Sequence, residues 1–256
     1  MVVILFLISI VSGFLSGLLG IGGAVVLIPL MLAVPPLVGV GTLTMSQVAG
    51  ITMIQVLAAT ISGCLTHRRA GCADTKIILL MGIPMGLFSL AGALLSKYMS
   101  NSVMLVIFGC ILFVAFIVLL QKSPGESGDT TSFTFNTPLG IITGCAVGAV
   151  SGIIGAGGGF ILIPLMIRVL KIPIKIAVGS SLGVVFIGAL MGSAGKIITL
   201  QVEWAYLAPV IVGSVPAAII GARISKTLTP VCLRYALLLV VLLTTVKIWW
   251  DIILGS

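Results

Sequence analysis

The chain has little of what a soluble enzyme uses. Charged residues make up 7% of its 256 residues, 13 Lys and Arg against 5 Asp and Glu, and it has one histidine. The acids Asp74, Glu126, Asp129, Glu203 and Asp251 all fall in predicted loops or at segment ends, which excludes a proton relay built on intramembrane carboxylates. The cysteines Cys64, Cys72, Cys110, Cys145 and Cys232 form no CxxC pair. With a single histidine beside them they predict neither a zinc centre nor a disulfide framework, and they read as small buried apolar residues. No metal and no other cofactor is expected. The cations stand singly or in short groups between apolar stretches, which is the pattern of short cytoplasmic loops and not of a nucleic-acid surface. No Lys or Arg precedes Met31, so the apolar N-terminus lacks the basic start of a cleaved signal and is expected to stay in the mature chain.

What is abundant is apolar. Hydrophobic residues reach 60%, glycine supplies 32 positions and the mean hydropathy is +1.39. A soluble core cannot absorb that much apolar surface, so a multi-pass, all-α protein of the plasma membrane is expected, with the lipid bilayer as its main partner. Apolar stretches fall at about 2–34, 45–66, 76–96, 102–121, 138–167, 176–198, 204–225 and 231–250. The one hydrophilic stretch lies between Gln121 and Pro138 and holds Pro, Gly, Ser and Thr with two of the acids, the composition of a flexible joint. The chain therefore divides into a first transmembrane repeat (1–121), a polar linker (122–137) and a second transmembrane repeat (138–256).

The repeat is visible in the residues. Gly13 to Met31 (GFLSGLLGIGGAVVLIPLM) returns as Gly148 to Met166 (GAVSGIIGAGGGFILIPLM) with eleven of nineteen positions identical. Further on, Ala49-Gly50-Ile51-Thr52 pairs with Val178-Gly179-Ser180-Ser181, and Gly92-Ala93 with Gly221-Ala222. The first half carries six extra residues between Met31 and Gln47, assigned to a loop because Pro35-Pro36 interrupts there. Loop charges differ in the two halves. In the first, the basic loop follows the second apolar stretch (His67, Arg68, Arg69, Lys76); in the second, it follows the first (Arg168, Lys171, Lys175). Positive charge gathers on the cytoplasmic side, so the halves are expected to be inverted relative to one another. Inversion needs an odd number of crossings per half. The glycine-broken first stretch is the one expected not to cross, forming a re-entrant or split helix with two short arms meeting near mid-membrane, followed by three transmembrane helices.

Segments broken at matching glycines in two halves are the best sequence pointer to a transporter's site. Beyond each break a new helix starts with unpaired amides and the positive end of its dipole, which suits a small anion. The candidate substrate-binding residues are Gly20, Gly22 and Gly23 in the first tip and Gly155, Gly157, Gly158 and Gly159 in the second. Thr52, Ser180 and Ser181 add hydroxyls from the following helices; their simpler role is to bond their own backbone carbonyls. Gln55, Ser16 and Ser151 are weaker candidates of the same kind. Pro29 and Pro164 are read as bends, and His67 as an anchor at a cytoplasmic edge. Glu203 or Lys196 at an edge, the membrane potential or the substrate's own protonation are left as sources of coupling.

The residues SGLLGIGG with IPLML, SGIIGAGGGFILIPLM, AVGSSL at 177–182 and THRRAG at 66–71 resemble the TauE/SafE family of membrane permeases over nearly the whole chain. The resemblance implies a carrier of two homologous halves that moves a small sulfur oxyanion or sulfonate, such as sulfite or sulfoacetate, commonly outward. Ile51 stands where relatives often carry a hydroxyl, and Ala24 where the second tip has Gly159, so function is expected to lean on the second half. An anion channel, or a membrane-embedded sulfur-handling protein using Cys145, is the alternative. Assembly into a homo-oligomer is compatible with the sequence.

Overall fold

The computed structural model describes residues 1–19, 23–67, 74–120, 136–225, 239 and 241–250. Among these the regular structure is helix without strand: α1 (Val2–Leu19), α2 (Ala24–Leu37), α3 (Met45–His67), α4 (Thr75–Leu95), α5 (Asn101–Leu120), α6 (Thr137–Ile154), α7 (Gly159–Arg168), α8 (Ile174–Ile198), α9 (Trp204–Ser225) and α10 (Val241–Trp250). The sparse polar residues mark the starts. Asp74 caps α4 by accepting from Lys76 N at 2.8 Å, and Asn136 caps α6 through Leu139 N. Thr44 and Gln47 form a reciprocal capping box before α3, each side chain accepting the other's backbone N–H.

Both glycine-broken stretches are two helices, α1 with α2 and α6 with α7. The arms are unequal, where the sequence reading had two short ones. The 18 residues of α6 rise about 27 Å, nearly the thickness of a hydrocarbon core, whereas the 10 of α7 return about 15 Å. The six extra residues of the first half are also not all loop. α2 runs through Pro35 and Pro36 to Leu37; the two prolines keep a helical φ but leave the carbonyls of Met31 and Leu32 without their i+4 donors, and the helix ends one residue later. Val38 N still reaches Val34 O at 3.1 Å, and Gly39, at φ 69, turns the chain away.

Glycine sets the packing. Gly144, Gly148 and Gly152 of α6 lie on the backbone of Met81, Met85 and Ser89 of α4, so close that a Cβ would collide with a carbonyl. Gly13 and Gly17 of α1 lie in the same way on Ser214 and Ala218 of α9. By the repeat, Gly13 corresponds to Gly148, Gly17 to Gly152, Met85 to Ser214 and Ser89 to Ala218, so each half's first helix packs on the other half's equivalent partner. Gly92 against Ala149 and Gly221 against Phe14 complete the reciprocal set.

The same contacts give directions. α4 and α6 run parallel, as do α1 and α9; α8 runs with α4, since Gly183 meets Ile78 and Gly195 meets Ala93. α3 and its repeat mate α8 run antiparallel, Gly50 lying on Gln201 just beyond the end of α8 and Met53 on Gly192 further back. Among the described residues four helices are long and apolar enough to cross a membrane, within Thr75–Tyr98, Thr137–Ile154, Gly179–Ile198 and Trp204–Gly221. Their outer faces are apolar too: Leu79, Ile83 and Leu87 are exposed one turn apart on α4. Exposed Tyr98 and Trp204 stand at the common end of α4, α8 and the start of α9, the placement of an interfacial aromatic belt.

Candidate functional site

The second glycine tip is fully described. Gly155 stops α6 in the left-handed region at φ 79, with its N–H on Ser151 O at 2.8 Å. Gly157 and Gly158 follow at φ 67 each, and Gly158 caps α7. Only glycine holds this run without strain. It also fits in space, because Gly155 is pressed on Ala49, Gly157 on Val56 and Gly158 on Val147 and Met85. Ile161 N and Leu162 N bond Gly158 O at 3.2 and 3.0 Å. Among the described residues no carbonyl meets the N–H groups of Ala156, Gly157, Gly158, Gly159 or Phe160. A run of unpaired amides in backbone that is mostly buried is rare, and it leaves donors free at the positive end of α7.

Of the buried side-chain oxygens without a partner among the described residues, that of Ser151 lies next to it. Ser151 is 1% exposed, Gln55 1% and Ser89 0%, and Ser151 Oγ, Gln55 Oε1 and Ser89 Oγ have no hydrogen-bond partner. Ser151 Cβ packs at Gly158, Gln55 adjoins Val56 on α3, and Ser89 Oγ faces Gly192 of α8. Buried polar groups left unpaired are expensive and are retained where something else needs them. Chemically, amides with hydroxyl donors and no acid bind a small oxyanion; Gln55 Oε1 is an acceptor and adds nothing to that donor set.

The other sequence candidates divide. Thr52 Oγ1 donates to Val48 O at 2.8 Å and lies 3.0 Å from Gly155 O, so it bonds its own helix and also ties α3 to the second tip. Ser180 is buried and accepts from Asp74 N at 3.0 Å, at the opposite end of α8 from that tip. From buried Ser181 to Gly192 is eleven residues, about 16 Å along the helix. Gly23 caps α2 at φ 78, matching Gly158; Gly20 and Gly22 lie outside the described residues, as does the side chain of Ser16. His67 ends α3 with its side chain outside them too. Cys145 is a half-buried free thiol on α6, and Cys110, read as buried, is exposed on α5. It points outward there because a membrane helix buries only its contact stripe, and a thiol tolerates lipid.

Sequence reasoning missed two residues. Ser89 had no repeat mate to flag it, since Ala218 stands at the matching place. Lys196, expected at an edge, is in the last turn of α8 with 0% exposure. Its Nζ donates to Ser96 Oγ at 2.7 Å, Gln201 Oε1 at 2.8 Å and Ile153 O at 3.1 Å. The signal was available: counted by the repeat, Lys196 falls on His67 and Ser96 on Ser225.

A helical bundle whose long helices expose apolar side chains has the make-up of a multi-pass membrane protein. The particular family follows from the match of residues 5–248 to that described as "Sulfite exporter TauE/SafE": the chain belongs to this family of membrane transporters. It is 29% identical over 244 residues to the probable membrane transporter protein YdhB of Bacillus subtilis, covering 93% of this chain and 94% of that one. It is 24% identical over 241 residues to YunE of the same organism, a probable membrane transporter protein, covering 88% of each. A probable membrane transporter protein of Methanocaldococcus jannaschii, MJ0441, is 25% identical over 246 residues, covering 91% of this chain and 90% of that one. No solved structure matches the chain.

Proposed function

We propose that the protein is a plasma-membrane carrier that exports a small sulfur-containing anion, sulfite or an organosulfonate, by alternating access. The observation that carries the reading is the run of unpaired amides from Ala156 to Phe160 beside the unpartnered Ser151 hydroxyl. Sulfite and sulfonates present three oxygens that accept hydrogen bonds, and donors preset around one point bind such a group without a metal or cofactor. The family description supports the substrate class. In this reading Gly155, Gly157, Gly158 and Gly159 supply the approach to backbone, Thr52 fixes the tip, and Gly20, Gly22, Gly23, Ser180 and Ser181 belong to the repeat-related site at the other end. The reciprocal glycine contacts and the antiparallel run of α3 and α8 support inverted repeats, which make two equivalent arrangements, open to opposite faces, available to one chain.

The test is exchange. Proteoliposomes loaded with unlabelled sulfite are expected to take up labelled sulfite faster than empty ones, and uptake to saturate, since a carrier returns loaded. Uptake that rises linearly with concentration and ignores the internal load would instead identify a channel.

A further inference from the structure

Lys196 has three donors, and all three go to neutral acceptors. Among the described residues no carboxylate pairs with it; Glu203, two residues beyond Gln201, accepts instead from Gln47 Nε2 at 3.0 Å. Gln201 Nε2 also donates to Ser96 Oγ at 3.1 Å, and Ser96 Oγ donates to Ala93 O at 2.6 Å. The network therefore satisfies hydrogen bonds and leaves the charge uncompensated. A buried cation in a membrane protein without a counter-ion marks a functional position.

Its surroundings say which. Gly188, Gly192 and Lys196 recur every four residues on one face of α8, which stacks them along the helix. Gly188 meets Met85, and Gly192 meets Met53 and the unpartnered Ser89 Oγ. Lys196 thus stands one turn from Ser89, and through Ile153 O it touches the last turn of α6 just before the glycine tip. Resting on the function proposed above, we infer that Lys196 is the counter-charge of the anion site. It holds one positive charge at the last turn of α6, just before the glycine tip, so that an entering anion trades Ser96 or Gln201 for itself as the ammonium's partner. The charge selects an anion over a neutral solute of the same shape, and Ser96 and Gln201 hold the ammonium when the site is unloaded.

The experiment compares wild type, Lys196→Gln, Lys196→Arg and Ser96→Ala in proteoliposomes with labelled sulfite, together with melting temperature in detergent with and without sulfite. Lys196→Gln is expected to raise KM about thirtyfold or more, to lose the sulfite-induced gain in Tm, and to keep or raise the unliganded Tm, because an unpaired buried charge is gone. Lys196→Arg, which keeps the charge, is expected to raise KM less than Lys196→Gln does, and Ser96→Ala less than Lys196→Gln as well, because the ammonium keeps Gln201 and Ile153 O. A Lys196→Gln variant that keeps its KM overturns the inference. So does a variant set in which Lys196→Arg or Ser96→Ala raises KM as much as Lys196→Gln, for then the residue is only a tie between helix ends. If wild type neither transports sulfite nor gains Tm from it, the proposed function fails first.

Discussion

Ser151 and Thr52 separate binding from architecture. The Ser151 hydroxyl has no partner to lose, so Ser151→Ala is expected to leave the melting temperature unchanged or slightly higher and to raise the KM for sulfite by about tenfold or more, the worth of one hydrogen bond to a charged group. Thr52 already bonds Val48 O and Gly155 O. Thr52→Val is therefore expected to lower stability by about 1 kcal/mol with a smaller effect on KM. Thermal melts with uptake curves for both variants check the split; a Ser151→Ala protein that melts lower and transports normally would contradict it. Thr52 was legible because the repeat paired it with Ser181. Ser89 was not, because its neighbours come from helices distant in sequence, and Lys196 was placed at an edge, because loop-charge counting assigns any lysine near a segment end to the surface although the repeat sets it on His67.

Helix pairing rests on glycines with no room for a side chain. Gly17 lies on Ala218 and Gly152 on Ser89, and the repeat makes the two contacts equivalent. Leucine at either position must force α1 from α9 or α6 from α4, at a cost of about 1–3 kcal/mol or more. Both variants are expected to show similar losses of monodisperse protein in detergent, and a normal melting temperature for either would contradict the packing. The helices themselves were readable: long apolar stretches ended by Pro, Gly and capping residues gave all ten approximate positions, once each glycine-broken stretch is counted as two. What periodicity did not show was arm length. An all-apolar helix carries no amphipathic signal to mark where it stops, so the long α6 and the proline-ended α2 emerged only from packing and caps.

For the molecule as a whole, the reciprocal contacts tie the halves together, and alternating access by repeat exchange needs them to face opposite sides. In a cysteine-free background, single cysteines at Gly41, between α2 and α3, and at Lys171, between α7 and α8, are expected to label with a membrane-impermeant maleimide from opposite faces of intact cells and inverted vesicles. Labelling of both from one face would contradict inversion. The doubled glycine motif made the family and the repeat visible in sequence, whereas the relation between the halves had to be argued from charges, since hydropathy has no direction.

The central claim is that the second glycine tip binds a sulfur oxyanion. The most direct measurement is the concentration dependence of labelled sulfite uptake into proteoliposomes holding equal amounts of folded wild type or Gly157→Val, a substitution strained at φ 67 and pressed on Val56. Saturable uptake by wild type that is abolished in Gly157→Val is the predicted result; no saturable uptake by wild type, or the same curve for both proteins, would contradict the account.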